Sequence, residues 1–265
     1  MASAASYLAD NKVQEKISEA VTASLKARPD DPIAFIGRLL MQGGVKKVVI
    51  VSTSASMMGD HSTGAWSEEI TGPYYTFLEA GCQVTLASIN GGQIPIDQGS
   101  LSDQFKTAND KRFEESGDVA RLSTSKPISE VAVDGVDCVF LAGGHGTCVD
   151  FPDGCADLVS KAYASGKVVG AVCHGPMGLV KATAADGKPL VAGKKVAAFT
   201  DVEEGQVGLT EKVPFLLEAK LKELGADVVG ADPWSENAVA DGKLITGQNP
   251  QSSVKAAKLC LEALA

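Results

Sequence analysis

From Val45 onward, short β-rich apolar runs alternate with helical patterns, and this alternation constrains the fold more tightly than any other feature of the chain. Lys46 to Ser52, Gln83 to Ser88, Asp137 to Ala142, Lys167 to Ala171 and Lys195 to Thr200 each read as a strand. Between them lie helical stretches such as Glu68 to Ala80, Gly154 to Ala164 and Leu209 to Leu224. Strands spaced by helices imply an α/β fold, with a mainly parallel sheet covered on both faces and ligands at the carboxyl ends of the strands. Asp241-Gly242, set between two short apolar runs, signals a hairpin near the end of the chain. Pro250 then opens a closing amphipathic helix through Leu264, with Val254, Ala257, Leu261 and Leu264 on one face.

One strand carries the chemistry. In Lys167-Val-Val-Gly-Ala-Val-Cys173-His174-Gly175-Pro176, a buried strand runs into a helical pattern, so Cys173 falls on a sharp strand-to-helix turn. A nucleophile elbow needs small residues two before and two after the nucleophile, because side chains there collide with neighbouring backbone. Ala171 and Gly175 occupy those places. A thiol at the first turn of a helix is also expected to gain thiolate character from the free N–H groups and the helix dipole. The competing reading, a cysteine that is merely a small buried hydrophobe, does not account for the spacing.

A cysteine nucleophile needs a proton acceptor, an acid to orient that acceptor, and donors for an oxyanion. There are three histidines, His61, His145 and His174. His174 follows the cysteine, and at an elbow the two side chains converge. Candidate acids stand after the next strand, in Asp201-Val-Glu203-Glu204. The segment Gly143-Gly144-His145-Gly146 lacks the third glycine of a dinucleotide loop, where Val149 stands, and the Lys-Ser/Thr of a phosphate loop. Its expected role is close backbone approach to substrate, with the Gly144 N–H as oxyanion donor and Gly143 and His145 beside it. His145, Cys148 and Cys155 match no zinc spacing, so neither metal nor cofactor is expected.

The remaining composition narrows partners. The net charge is −9 with no Lys/Arg-rich run, which gives nucleic acid and anionic membrane little purchase. Six cysteines without disulfide-scaffold spacing suggest a reducing compartment. No secretory signal or spanning run is legible, so a cytoplasmic address is expected.

Residues 1–44 read differently from the rest. Val13, Ile17, Val21 and Leu25 recur every fourth residue. After Arg28-Pro29-Asp30-Asp31-Pro32, a second helix presents Ile33, Ile36 and Leu40, with Phe35 and Leu39. A hairpin this small needs a partner surface, whether its own large domain at 45–265, a second copy, or another protein. Its wording, Tyr7-Leu8, Val13, Arg28-Pro29-x-x-Pro32 and Phe35-Ile36, resembles the Dumpy-thirty type of dimerisation-and-docking motif. That resemblance implies an antiparallel four-helix homodimer whose groove, built from residues 7–41, takes an amphipathic helix of an anchoring protein. It extends the expected location to the cilium or axoneme.

The chain from Val45 resembles the PfpI and Parkinsonism-associated deglycase superfamily, which has a flavodoxin-like, class I glutamine-amidotransferase-like fold. Thr63-Gly-Ala-Trp66-x-x-Glu69-x-x-x-Pro73, Gly91-Gly-x-x-Pro95-Ile-Asp97, Ala142 to Gly146, Ala171 to Pro176 and Thr246-Gly-x-Asn249-Pro250 are similar to its heat-shock chaperone and glyoxalase III branch. The resemblance implies Cys173 as nucleophile, His174 as proton shuttle and Glu69 as the acid that exchanges a proton with the thiol. Its Phe-Thr-Asp-Val-x-Glu pattern points to Glu204 as the third acid, with Glu203 the near alternative. Where Glu203 stands the family has a small residue. The implied reaction is cofactor-free, glutathione-independent conversion of methylglyoxal or a similar small 2-oxoaldehyde to the 2-hydroxy acid, D-lactate from methylglyoxal. A docking or structural subunit, and a stress chaperone or redox sensor, are the competing readings.

Overall fold

The computed structural model describes residues 4–41 and 43–265; the start of the chain and the Tyr7 side chain, both used above, lie outside what is described. Helices α1 (Ala4–Asp10), α2 (Val13–Ala27) and α3 (Pro32–Met41) come first. The α2–α3 turn is chemically specified. Arg28 adopts a left-handed conformation and donates its N–H to Ser24 O, Pro32 starts α3, and the Asp31 carboxylate accepts the Ala34 N–H.

The large domain then runs β1 (Lys47–Ser52), β2 (Met57–Met58), β3 (His61–Ser62), α4 (Ser67–Glu79), β4 (Gln83–Ser88), α5 (Ala108–Glu115), β5 (Lys126–Pro127) and β6 (Cys138–Leu141). It continues with α6 (Thr147–Gly154), α7 (Ala156–Ala164), β7 (Val168–Val172), β8 (Lys195–Val196), α8 (Asp201–Val207), α9 (Leu217–Glu223) and β9 (Asp227–Val228). The antiparallel hairpin β10 (Ala238–Asp241) and β11 (Leu244–Gly247), then α10 (Ser253–Leu264), close it.

Among the described residues, seven strands form one sheet in the order β10-β11-β7-β6-β1-β4-β5, parallel except for β10. Because helices cover both faces, the central strands are apolar on both sides. Val49, Val51, Val139, Leu141, Val169 and Ala171 face α6 and α7, where Phe151, Leu158 and Val159 fill the layer. Val48, Ile50, Cys138, Phe140, Val168 and Val172 face α4 and α10.

Several expectations need correction. Lys195 to Thr200 is not a strand of the main sheet: only β8 is regular, and it pairs with β9 in a separate two-stranded ladder. The rest is held by single bonds, Ala197 N–H to Thr246 Oγ1 and Phe199 N–H to Cys173 O, which still bring Thr200 to the site rim. Helix α9 begins at Leu217, not Leu209. The buried face of α10 is Ser253, Ala256, Ala257 and Cys260, not the larger residues, because this helix lies close against β7.

In the hairpin the two helices divide their apolar residues between two faces. Its α2 stripe faces outward: Ile17, Val21 and Leu25 are exposed, as are Ile33 and Leu40 on α3. What it packs inward is Ala20, Ala23, Phe35 and Leu39. Phe35 and Leu39 lie on the backbone at Gly81, where an added Cβ would come within 2.8 Å of Phe35 and 2.7 Å of Leu39.

Candidate active site

Strand β7 delivers Cys173 to the carboxyl edge of the sheet with φ +58, a conformation costly for a residue with a Cβ. The surroundings force it. Cys173 N–H donates to Gly247 O, its carbonyl accepts from Phe199, and a Cβ on Gly175 would stand 2.3 Å from Leu141 O. The elbow spacing read in the sequence is therefore a packing requirement. The segment after it, Gly175–Leu179, is a short 3-10 turn and not an α-helix. The expected thiolate does not follow either: Cys173 is 4% exposed, and burial together with the neighbouring Glu69 pushes its thiol well above the usual range.

His174 lies beside the thiol, Nδ1 to Sγ at 3.5 Å, and its Nε2 is 2.7 Å from Glu204 Oε2. Burial works to raise Glu204, but the hydrogen bonds from His145 and His174 outweigh it and hold the carboxyl at about 2. Burial, with His145 second, holds His174 down at about 4. An ionised carboxylate only accepts, so Nε2 of His174 carries the proton and Nδ1 presents a lone pair to the thiol.

Glu203 is turned elsewhere. It closes a capping box with Thr200 and accepts from Trp234 N–H and Asn249 Nδ2, so of the two neighbouring glutamates only Glu204 reaches the histidine. Sequence reasoning missed a second partner: His145 Nε2 lies 2.9 Å from Glu204 Oε1, so this residue orients the acid and is not a free substrate donor. Its lone signal was scarcity, as one of three histidines in the chain.

Glu69, on the first turn of α4, is fully buried. Its Oε2 accepts the Gly143 N–H at 2.7 Å, while Oε1 has no hydrogen-bond partner among the described residues. Burial raises Glu69 to about 8, opposed by the Cys173 thiol and the Gly143 N–H. The Gly143 donor is thus committed to Glu69 and is not available to an oxyanion. A Cβ there would lie 2.5 Å from Glu69 Oε2, which is why glycine stands at this position. Gly144, at φ +97, lines the pocket, and its N–H makes no bond to another described residue, as the oxyanion role requires.

These groups floor a pocket of about 380 Å³ lined by Trp66, Phe105, Phe199 and Trp234. Glu68, which the sequence did not single out, also lines it; burial raises it to about 7, Asp110 adds to the rise, and the Thr107 hydroxyl donates to it. His61, Cys148 and Cys155 contribute nothing to the pocket wall.

The chain is similar to several known proteins. Glutathione-independent glyoxalase HSP31 of Saccharomyces cerevisiae is 33% identical over 238 residues, 83% of this chain and 98% of that protein. The crystal structure of glyoxalase III from Candida albicans superposes with a TM-score of 0.76 at 30% identity, covering 82% of this chain and 97% of that one. Rapid Encystment Protein 24 KDa of Francisella tularensis gives a TM-score of 0.79 at 36% identity, covering 83% and 100%. The DJ-1/PfpI family model matches residues 61–263, and the chain belongs to that family.

Proposed function

We propose that residues 45–265 form a glutathione-independent glyoxalase III, converting methylglyoxal or a related 2-oxoaldehyde to the 2-hydroxy acid, D-lactate from methylglyoxal. The observation that carries this reading is a buried thiol flanked by two groups able to move protons, His174 Nδ1 on one side and the half-unpartnered Glu69 carboxyl on the other. The names of the similar yeast proteins support it.

His174 takes the thiol proton as Cys173 Sγ adds to the aldehyde carbon, and the new oxyanion is met by the Gly144 N–H. Protonation of that oxygen from His174 gives a hemithioacetal. Glu69, as carboxylate, removes the hydrogen on the former aldehyde carbon and returns it to the adjacent carbon through an enediolate, while the hydroxyl proton of the hemithioacetal passes by way of His174 to the former ketone oxygen. The aldehyde carbon is oxidised to a thioester as the ketone is reduced to an alcohol, so no outside electrons are needed. Water then cleaves the thioester, releasing the acid and restoring the thiol. Burial serves this chemistry, since a carboxylate raised to about 8 is a stronger base than an exposed one. Lactate formation from methylglyoxal without glutathione tests the reading, wild type beside Cys173→Ala and Glu69→Gln. Full activity in Cys173→Ala rules it out.

For residues 1–44, the exposed row Ile17, Val21, Leu25, Ile33 and Leu40 supports a second role, as a unit that dimerises and accepts an amphipathic helix of an anchoring protein. An axonemal or other cytoplasmic assembly suits that reading. It concerns where the enzyme sits and leaves the chemistry of Cys173 untouched.

A further inference from the structure

The pocket is larger and more aromatic than a three-carbon oxoaldehyde requires. Its volume of about 380 Å³ falls in the range of sites that enclose ligands several times that size. Four rings line it in two pairs from four separate segments. Trp66 and Phe105 meet edge to face at 5.3 Å, and Phe199 and Trp234 at 5.6 Å. Phe105, Val207 and Trp234 rank among the exposed large hydrophobic residues, and all three line this mouth. Exposed apolar side chains gathered at the opening of a reactive pocket mark a surface meant to be covered by ligand.

The Trp234 wall is held in place at a cost. Trp234 has φ +64, a conformation a bulky side chain adopts only when its surroundings compel it. Its N–H donates to Glu203 Oε1 at 2.8 Å, and its indole Nε1 donates to Gln206 Oε1. Glu203 is fully buried and also accepts from Asn249 Nδ2 at 2.9 Å, Gln248 Nε2 at 3.2 Å, and the Thr200 N–H and hydroxyl. Adjacent glutamates on α8 thus divide the work: Glu204 orients the histidines, and Glu203 fastens the far wall.

We propose that the part of the pocket lined by Trp66, Phe105, Phe199 and Trp234 is a subsite for a planar aromatic side chain on the carbonyl substrate, and that Glu203 is the positioning residue that holds its Trp234 wall. Resting on the glyoxalase reading, this makes an aryl 2-oxoaldehyde a better substrate than methylglyoxal. A planar aromatic substituent can meet such lining rings edge to face or in an offset stack.

The test uses the purified full chain. Wild-type kcat/KM for phenylglyoxal, converted to mandelate, should exceed that for methylglyoxal by tenfold or more. Trp234→Ala should cut this ratio at least tenfold, mainly through KM for phenylglyoxal, and Trp234→Phe should restore part of it. Glu203→Gln should move the ratio in the same direction. Binding of the unreactive neutral pair 2-hydroxyacetophenone and hydroxyacetone, followed by calorimetry, reads the subsite without turnover. The aryl ketone should bind at least tenfold tighter to wild type and lose that advantage in Trp234→Ala. Equal affinity of the two ketones for wild type, or a preference untouched by Trp234→Ala, overturns the subsite. If the aryl ketone binds tighter but neither aldehyde is turned over, the glyoxalase reading falls and the subsite stands.

Discussion

Glu204 Oε2 lies 2.7 Å from His174 Nε2, and this contact determines which ring nitrogen can take a proton from Cys173. Because the carboxylate is held at about 2, it accepts from Nε2 above that pH, and Nδ1 stays unprotonated toward the thiol above the His174 value of about 4. Glu204→Gln keeps the shape but offers an amide that can donate, which allows the other tautomer. The expected result is a fall in kcat/KM of about 10²–10⁴-fold, measured by lactate release, in the range for losing an oriented general base.

Glu69 ties activity and stability to pH in opposite directions. Its folded pKa of about 8 lies above the ordinary 4.5, so the stability present below pH 4.5 is lost progressively as the pH rises through 8. The base that moves the substrate hydrogen is the carboxylate, so kcat/KM should climb over the upper part of the same window. Glu69→Gln resembles the protonated acid. It should flatten the dependence of melting temperature on pH between 4.5 and 8, match or exceed wild-type stability at pH 8, and lose about 10²-fold or more in activity. A pH–rate profile of wild type that is flat through 8 contradicts this assignment.

The acid side is governed by the other pair. His174 is depressed from 6.5 to about 4, so the unfolded chain binds the extra proton first, and stability present above pH 6.5 is lost as the pH falls through 4. Glu204, depressed from 4.5 to about 2, gives stability present above 4.5 that is lost as the pH falls through 2. Between pH 6.5 and 4.5 the His174 slope opposes that of Glu69, so denaturation at graded pH reads it out as the difference in stability between wild type and His174→Gln, which should fall from 6.5 downward.

The alternating pattern of strands and helices was legible because each central strand is buried on both faces and so reads as an unbroken apolar run. The elbow was legible for a steric reason, since Gly175 meets Leu141 O whatever the neighbouring sequence does. What escaped the sequence is what distant segments decide together. His145 meets Glu204 across 59 residues, and Trp234 is fixed by Glu203 across 31. Glu69 has no local mark; it was found by resemblance alone, and its chemistry comes from burial that no stretch of sequence displays. The Lys195–Thr200 run has strand composition but few ladder partners, because β11 and β6 already occupy both sides of β7. The α2 stripe was legible by its helical period but its facing was not, which small Ala20 and Ala23 decide by letting the helix lie close to the domain.

That facing gives the last prediction. Deleting the hairpin would remove Phe35 and Leu39 from their seat at Gly81 and expose the domain beneath, which confuses loss of docking with loss of stability. Substitution on the outer face separates them. Ile17→Lys with Val21→Lys places charge at exposed positions, where a monomer tolerates it at about 0.5 kcal/mol or less per site. Sedimentation should show a dimer for wild type and a monomer for this variant, with melting temperature and methylglyoxal turnover retained. Phe35→Ala should instead destabilise the hairpin's packing by about 3–5 kcal/mol, seen as early proteolysis before Gly44 with the domain intact. A wild-type monomer at tens of micromolar would remove the dimerisation role from this surface.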